Sequence, residues 1–113
     1  MHEVSLMTET LELAAQSARA SGASRIHALR LRVGQMSGVV PEALRFAFEV
    51  ARQGTIAAEA TLDVETVPMK WWCLQCRQEY GGDPPWSECP KCGQVSGEAR
   101  AGFELELASL EVS

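Results

Sequence analysis

Apolar residues recur at intervals of three and four near the start of the chain: Val4, Met7, Leu11, Ala14 and Ala18. That spacing is one stripe of an amphipathic helix, widened by Leu6 and Leu13. Glu3 places negative charge where a helix N-terminus favours it, and Ser21-Gly22 supplies a stop. The stripe predicts a first helix over roughly residues 4–21. From Arg25 to Val33 the period changes to two, with Leu29, Leu31 and Val33 opposite Arg30 and Arg32. This is a strand with one buried face, and Ile26, out of phase, points to an irregular start. Gly34 to Gly38 reads as a loop. Pro41 suits the first turn of a second helix, whose stripe is Val40, Leu44, Ala47, Phe48 and Ala51, with Gly54 ending it. Leu62, Val64 and Thr66 alternate with Asp63 and Glu65 in a second strand stopped by Pro68. Phe103, Leu105 and Leu107 alternate with Glu104 and Glu106 in a third. There the phase slips, since Leu110 and Val112 have the opposite parity, and a bulge near Ala108-Ser109 would restore one buried face.

Two helices and three strands predict an α+β fold, with the helices on one face of a mixed three-stranded sheet. The second and third strands bracket a stretch that fits neither period, Lys70 to Glu98. This stretch is too short to hold a core by apolar burial alone. The expected organisation is therefore one domain of residues 1–69 plus 99–113, and a second, 70–98, inserted between two strands.

The inserted stretch holds all four cysteines, as Cys73-Leu-Gln-Cys76 and Cys89-Pro-Lys-Cys92. Each Cys-x-x-Cys turn aims two thiolates at one point, and two turns face to face make the tetrahedral four-sulfur cage that zinc prefers. Gly93 lets the second turn fold back past the metal, and Pro90 stiffens it. Metal binding would supply the stability the short segment lacks, on the order of 10 kcal/mol. Iron held in the rubredoxin manner would accept the same ligands. Disulfides would need an oxidising compartment, and the first residues, Met1 to Ser5, carry no basic stretch leading to an apolar run. Reduced cysteines without a secretory signal are expected in the cytoplasm.

In composition the 113-residue chain is ordinary, 46% hydrophobic, but its formal charge is −5. Four thiolates around one divalent ion would lower that further. An acidic chain is poorly suited to phosphate backbones. Trp71, Trp72 and Trp86 would suit base stacking, yet Lys70, Arg77 and Lys91 are the only basic residues in 70–98, against Glu79, Asp83, Glu88 and Glu98. The tryptophans are expected to pack the small domain or to face a protein partner. No run is long enough to cross a membrane as a helix. Nothing suggests an enzyme: there is no Ser-His-Asp set and no phosphate loop, and a four-cysteine cage has no open position. Arg30, Arg32 and Arg45 read as an ordinary solvated face, and Met7 as core rather than a soft ligand, with Met36 the other methionine considered.

The N-terminus is chemically distinct. Met1-His2-Glu3 sets an imidazole one residue from the terminal amine, so the amine, the His2 amide and the imidazole can all reach one ion. Such nitrogen donors suit nickel or copper in square-planar or tetragonal geometry, and Glu3 could add its amide or a carboxylate. This site would be open, and an open site can release its ion. His27, on the strand, has no second ligand near it in sequence.

Met-His-Glu at the start, the apolar first helix, Gly-x-x-Ser-Gly-Val-x-Pro-Glu-x-Leu-x-Phe-Ala-Phe at 34–48, and the pair Cys-x-x-Cys with Cys-Pro-x-Cys-Gly together resemble the HypA/HybF family, over the whole chain. The resemblance implies a nickel metallochaperone for NiFe-hydrogenase maturation. It implies nickel as transient cargo on Met1, His2 and Glu3, and structural zinc on Cys73, Cys76, Cys89 and Cys92 in a zinc-ribbon (rubredoxin-like) module. It also implies the GTPase HypB and the hydrogenase large-subunit precursor as partners. Some members also serve urease; here no histidine flanks either cysteine pair, which weakens that role. The two connections to the inserted module leave room for a homodimer formed by exchanged segments. The alternative is a zinc-ribbon adaptor that binds protein and carries no nickel.

Overall fold

The computed structural model describes residues 3–81 and 88–113; Met1, His2 and Trp86 lie outside the described residues. The elements run α1 (Glu3–Ala20), β1 (Ile26–Gly34), α2 (Pro41–Ala51), β2 (Thr61–Val67), β3 (Lys70–Cys73), β4 (Gln78–Gly81), β5 (Ala99–Ala101) and β6 (Leu105–Val112). They form two three-stranded sheets, β2-β1-β6 and β4-β3-β5, and two compact units. One unit holds the chain up to Arg32, Val39–Glu65 and Glu106–Ser113; the other holds Val33–Gly38 and Thr66–Leu105.

In the first unit, α1 buries Met7, Leu11, Ala14 and Ala18. It ends in a Schellman motif: Gly22 takes φ 82, its N–H donates to the Arg19 carbonyl at 3.0 Å, and the Ala23 N–H donates to that of Ala18 at 2.9 Å. The expected stripe was too wide. Val4 (43% exposed) and Leu13 (61%) lie off the buried line, because a helix packed on one side covers only a narrow arc. α2 starts with Pro41 at its first turn and buries Leu44, Ala47 and Phe48, while Val40 is the exposed N-cap rather than part of the stripe. These residues pack with Ile26, Leu29 and Leu31 of β1 and with Ala57 and Ala60 to form the core.

Strand directions follow from side-chain pairs on the opposite face. Arg30 meets Asp63 and Arg32 meets Glu65, each 33 residues on, so β1 and β2 are parallel and α2 is their crossover. Arg25 and Ser113 exchange backbone hydrogen bonds at 3.0 Å while Arg32 meets Glu106, so β6 runs antiparallel to β1. The sheet is mixed, as the sequence predicts. The two phase slips also face each other. Burial in β1 jumps from Ile26 to Leu29, and in β6 from Leu107 to Leu110, so both strands change parity at the same level and each keeps one inward face. Phe103, expected at the head of the last strand, lies before it and is 59% exposed.

The second unit's sheet was not foreseen as strands. β3 pairs antiparallel with β4, Trp71 opposite Tyr80 and Cys73 opposite Gln78, and with β5 across a bulge at Lys70/Trp71. Met69, Trp71, Cys73, Tyr80 and Cys89 form its core, with Cys76, Cys92 and Ala99 packed against it.

Candidate metal centre

The cysteines sit on two turns of matching construction. β3 delivers Cys73 at its last residue. The chain then turns so that the Arg77 N–H donates to the Cys73 carbonyl at 2.7 Å and the Cys76 N–H points at the Cys73 Sγ, 3.4 Å away. In the second turn the Gly93 N–H donates to the Cys89 carbonyl at 2.8 Å. That turn is closed at its base by the Cys89 N–H to the Gln94 carbonyl (2.9 Å) and by a bridge between Glu88 and Val95. The residue closing each turn has left-handed backbone, φ 54 at Arg77 and φ 76 at Gly93.

This equivalence carries a prediction. An L residue in the left-handed region costs roughly 1–2 kcal/mol, and glycine's extra freedom in the unfolded chain offsets some of the difference. Arg77 is exposed. Arg77→Gly is therefore expected to stabilise the metal-loaded protein by about 0.5–1 kcal/mol, read as a raised denaturation midpoint with unchanged metal stoichiometry.

The four Sγ atoms lie within 4.8 Å of one another. Cys73 to Cys92 is 3.5 Å and Cys76 to Cys89 is 3.9 Å. Zinc–sulfur bonds of about 2.3 Å require tetrahedron edges of about 3.8 Å, so the spacing accepts zinc with little movement. Cys73 and Cys89 are buried, and Cys76 and Cys92 half-buried. The thiols do not behave alike. Burial, together with hydrogen bonds to the other cysteines, pushes Cys76 up to about 12. The Cys92 backbone N–H, helped by that of Lys91 and opposed by burial, lowers Cys89 to about 7. A divalent cation would replace the protons that such a crowded cluster otherwise retains.

A polar network ties the second turn to the sheet. The Ser96 N–H donates to the Tyr80 hydroxyl at 3.2 Å, the Ser96 hydroxyl to the Trp72 carbonyl, and the Glu98 N–H to the Ser96 oxygen at 3.0 Å. The Trp72 N–H donates to the Glu98 carbonyl at 2.9 Å. Sequence reasoning missed Tyr80 and Ser96; their one signal is that an aromatic hydroxyl and a small hydroxyl flank the cysteine pairs. Trp71 is 7% exposed and belongs to this core. Trp72 stacks under Arg100, whose guanidinium carbon lies 4.5 Å from the ring centre.

The remaining candidates are separate. Glu3 opens α1, while Met1 and His2 lie outside the described residues, so the three are not placed around a common point. His27 is exposed and meets the Ser113 hydroxyl at 2.5 Å. Arg30 and Arg32 are engaged with Asp63, Glu65 and Glu106 on a solvated face, at 3.0 Å each. Met7 is fully buried and Met36 exposed. Among the described residues no helix is long and apolar enough to cross a membrane.

Known proteins match along the whole chain. The family model described as "Hydrogenase/urease nickel incorporation, metallochaperone, hypA" matches residues 1–112. The hydrogenase maturation factor HypA of a Picosynechococcus species is 46% identical over 112 residues, covering 99% of each chain. That of Rhizobium leguminosarum bv. viciae is 39% identical over the same share. Among solved structures, a solution structure of a HypA protein superposes with a TM-score of 0.74 at 25% identity, covering 100% of this chain and 97% of the other. The nickel metallochaperone HypA of Helicobacter pylori gives 0.68 at 24% identity and shares the fold. A full-length family match, relatives of equal length and a four-cysteine site that fits zinc agree, and the chain belongs to the HypA family of nickel metallochaperones for hydrogenase maturation.

Proposed function

We propose that the chain binds one Ni(II) at its N-terminus through the Met1 amine, the His2 amide and imidazole, and Glu3, and passes it to the NiFe-hydrogenase large-subunit precursor. The observation that carries this reading is the match to a nickel-incorporation family over residues 1–112, which includes the Met-His-Glu start. The donor chemistry supports it: nitrogen donors on a free chain end suit nickel, and an open set can surrender its ion by ligand exchange. α1 begins at Glu3, so of the three neighbouring donors Glu3 is the helix's first residue and Met1 and His2 precede it in sequence.

Zinc on Cys73, Cys76, Cys89 and Cys92 is structural in this reading, since four thiolates leave no position for cargo. Residues 1–69 with 99–113 then act as the nickel-binding domain and 70–98 as the zinc-binding domain. The GTPase HypB is the expected partner in delivery, and the cytoplasm, which keeps thiols reduced, the expected compartment.

Two versions of the zinc-loaded chain test the proposal, one beginning at Met1 and one with a short extension ahead of it. The native chain is expected to bind one nickel. The extension, and separately His2→Ala, should weaken binding by about 100-fold or more, since each removes a direct ligand. Equal nickel binding by all three would overturn the N-terminal site. Failure of all three to bind nickel, with zinc retained, would favour a protein adaptor.

A further inference from the structure

The first unit's sheet has an open edge. In the order β2-β1-β6, β6 has, among the described residues, a neighbour on one side only, so alternate N–H and C=O groups along it point outward. Protein edges are commonly blocked by Lys, Pro or short length. β6 has eight residues, Leu105–Val112, and contains neither Lys, Arg nor Pro. Beside it lies a groove of about 360 Å³, lined by Leu107, Leu110 and Val112 and, from the end of α1, by Ser17, Ala18 and Ser21. Among the described residues its lining comes from β6 and from Ser17 to Ser21, with none from β1. Its helix wall is made of small residues, which leaves room for side chains from outside.

Charge narrows the occupant. Glu104, Glu106 and Glu111 fall between 104 and 113 with no basic residue among them. Leu107, Leu110 and Val112 are half-buried towards the groove, while Glu106 and Glu111 are exposed. Glu106 already shares Arg32 of β1 at 3.0 Å, so the acidic charge most open to a new cation is Glu111. An incoming strand would thus meet an apolar row on one face and this carboxylate on the other, and its own side chains alternate between those faces.

We propose that β6 and the groove beside it are a docking site for an extended segment of a partner protein in which apolar residues alternate with Lys or Arg. The segment adds a fourth strand to the sheet, its apolar side chains enter the groove, and a cation of the segment faces Glu111. A second copy of β6 fits less well. The antiparallel register centred on the strand sets Glu106 against Glu111 twice, and like charges directly opposite one another destabilise a pair. No proposed metal ligand is involved, so the test is independent of the nickel reading.

The probe is a fluorescein-labelled peptide alternating Lys and Val over seven residues, beside the same peptide with its central Val replaced by Pro. Both are titrated into the full zinc-loaded chain. The unbroken peptide is expected to bind, more weakly as salt rises, and to slow amide exchange within residues 105–112. S17Y, which fills the groove from an exposed helix position, should lower affinity about ten-fold, and E111K by a few-fold. Circular dichroism checks that S17Y folds; should it not, E111K decides alone. Equal binding of the Pro peptide, protection outside 105–112, or affinity unmoved by E111K would each overturn the proposal. So would a dimer seen in sedimentation that S17Y dissolves, since the occupant would then be a second copy.

Discussion

Cys89→Ser should empty the four-cysteine site and unfold the strands around it. Cys89 is 2% exposed and is at once a proposed ligand and a member of the core formed with Met69, Trp71, Cys73 and Tyr80. Its thiol is also lowered, to about 7, first by the Cys92 backbone N–H. A hydroxyl there would bind zinc poorly, and the remaining three thiols would need to close a site on their own. Apart from the metal, the unit rests on three strands of three or four residues and a small apolar cluster. Structural zinc supplies on the order of 10 kcal/mol to such modules, more than a core of this size can replace. The expected result is loss of bound zinc and of the ordered near-ultraviolet signal of Trp71 and Trp72. The first unit has its own core in Met7, Leu11, Leu29, Leu44 and Phe48, and amide resonances from those residues should keep their dispersion. Acid should act in the same direction on the native chain. Protons compete for thiolates, so zinc affinity falls as pH falls. A Cys89→Ser chain that keeps stoichiometric zinc and native tryptophan signals would refute the structural role.

The helices and the first sheet were legible because each buries one face against one layer. Met7, Leu11, Ala14 and Ala18 recur at helical spacing for that reason, and Leu29, Leu31 and Val33 alternate for the same reason. The out-of-phase Ile26 and the slip after Leu107 were each legible alone. That they lie opposite one another was not, since it needs the register of β6 on β1. The cysteine spacing announced its cluster, because metal geometry constrains residues close in sequence. The sheet β4-β3-β5 stayed hidden for the converse reason. Lys70–Cys73, Gln78–Gly81 and Ala99–Ala101 are too short to show a period, and their pairing is held by the Tyr80–Ser96–Trp72 hydrogen bonds and the two cysteine turns. The donor set proposed on Met1, His2 and Glu3 rests on the chemistry of those residues, and Met1 and His2 lie outside the described residues.

Gly34 and Gly102 show a further kind of information that a single sequence conceals, and mutation should expose it. Both belong to the second unit. A Cβ on Gly34 would stand 2.2 Å from the Gly102 carbonyl carbon and oxygen and 2.5 Å from the Phe103 nitrogen. All three are backbone atoms, held by hydrogen bonds from the Met36 N–H to the Gly102 carbonyl and from the Gly34 N–H to the Glu104 carbonyl, each 2.7 Å. The Gly102 N–H in turn donates to the Glu104 carboxylate at 2.7 Å. On the other side, a Cβ on Gly102 would meet the Met69 sulfur at 2.1 Å and its Cα at 3.0 Å, on a residue whose φ is +114. Met69 is 2% exposed and cannot swing into solvent without opening the core it shares with Trp71. Gly34→Ala must therefore push a pair of backbone segments away from each other, and Gly102→Ala must combine backbone strain with overpacking. Each is expected to destabilise by about 3 kcal/mol or more. Gly22, Gly38 and Gly54 also have positive φ, but a Cβ there meets nothing within 4 Å. Alanine at those positions should cost only the local strain, about 1–2 kcal/mol. Denaturant unfolding of the zinc-loaded variants separates the two groups. Gly34 is decisive because no positive φ complicates it: an alanine there that unfolds with the native midpoint would mean that the two segments do not pass each other at this distance.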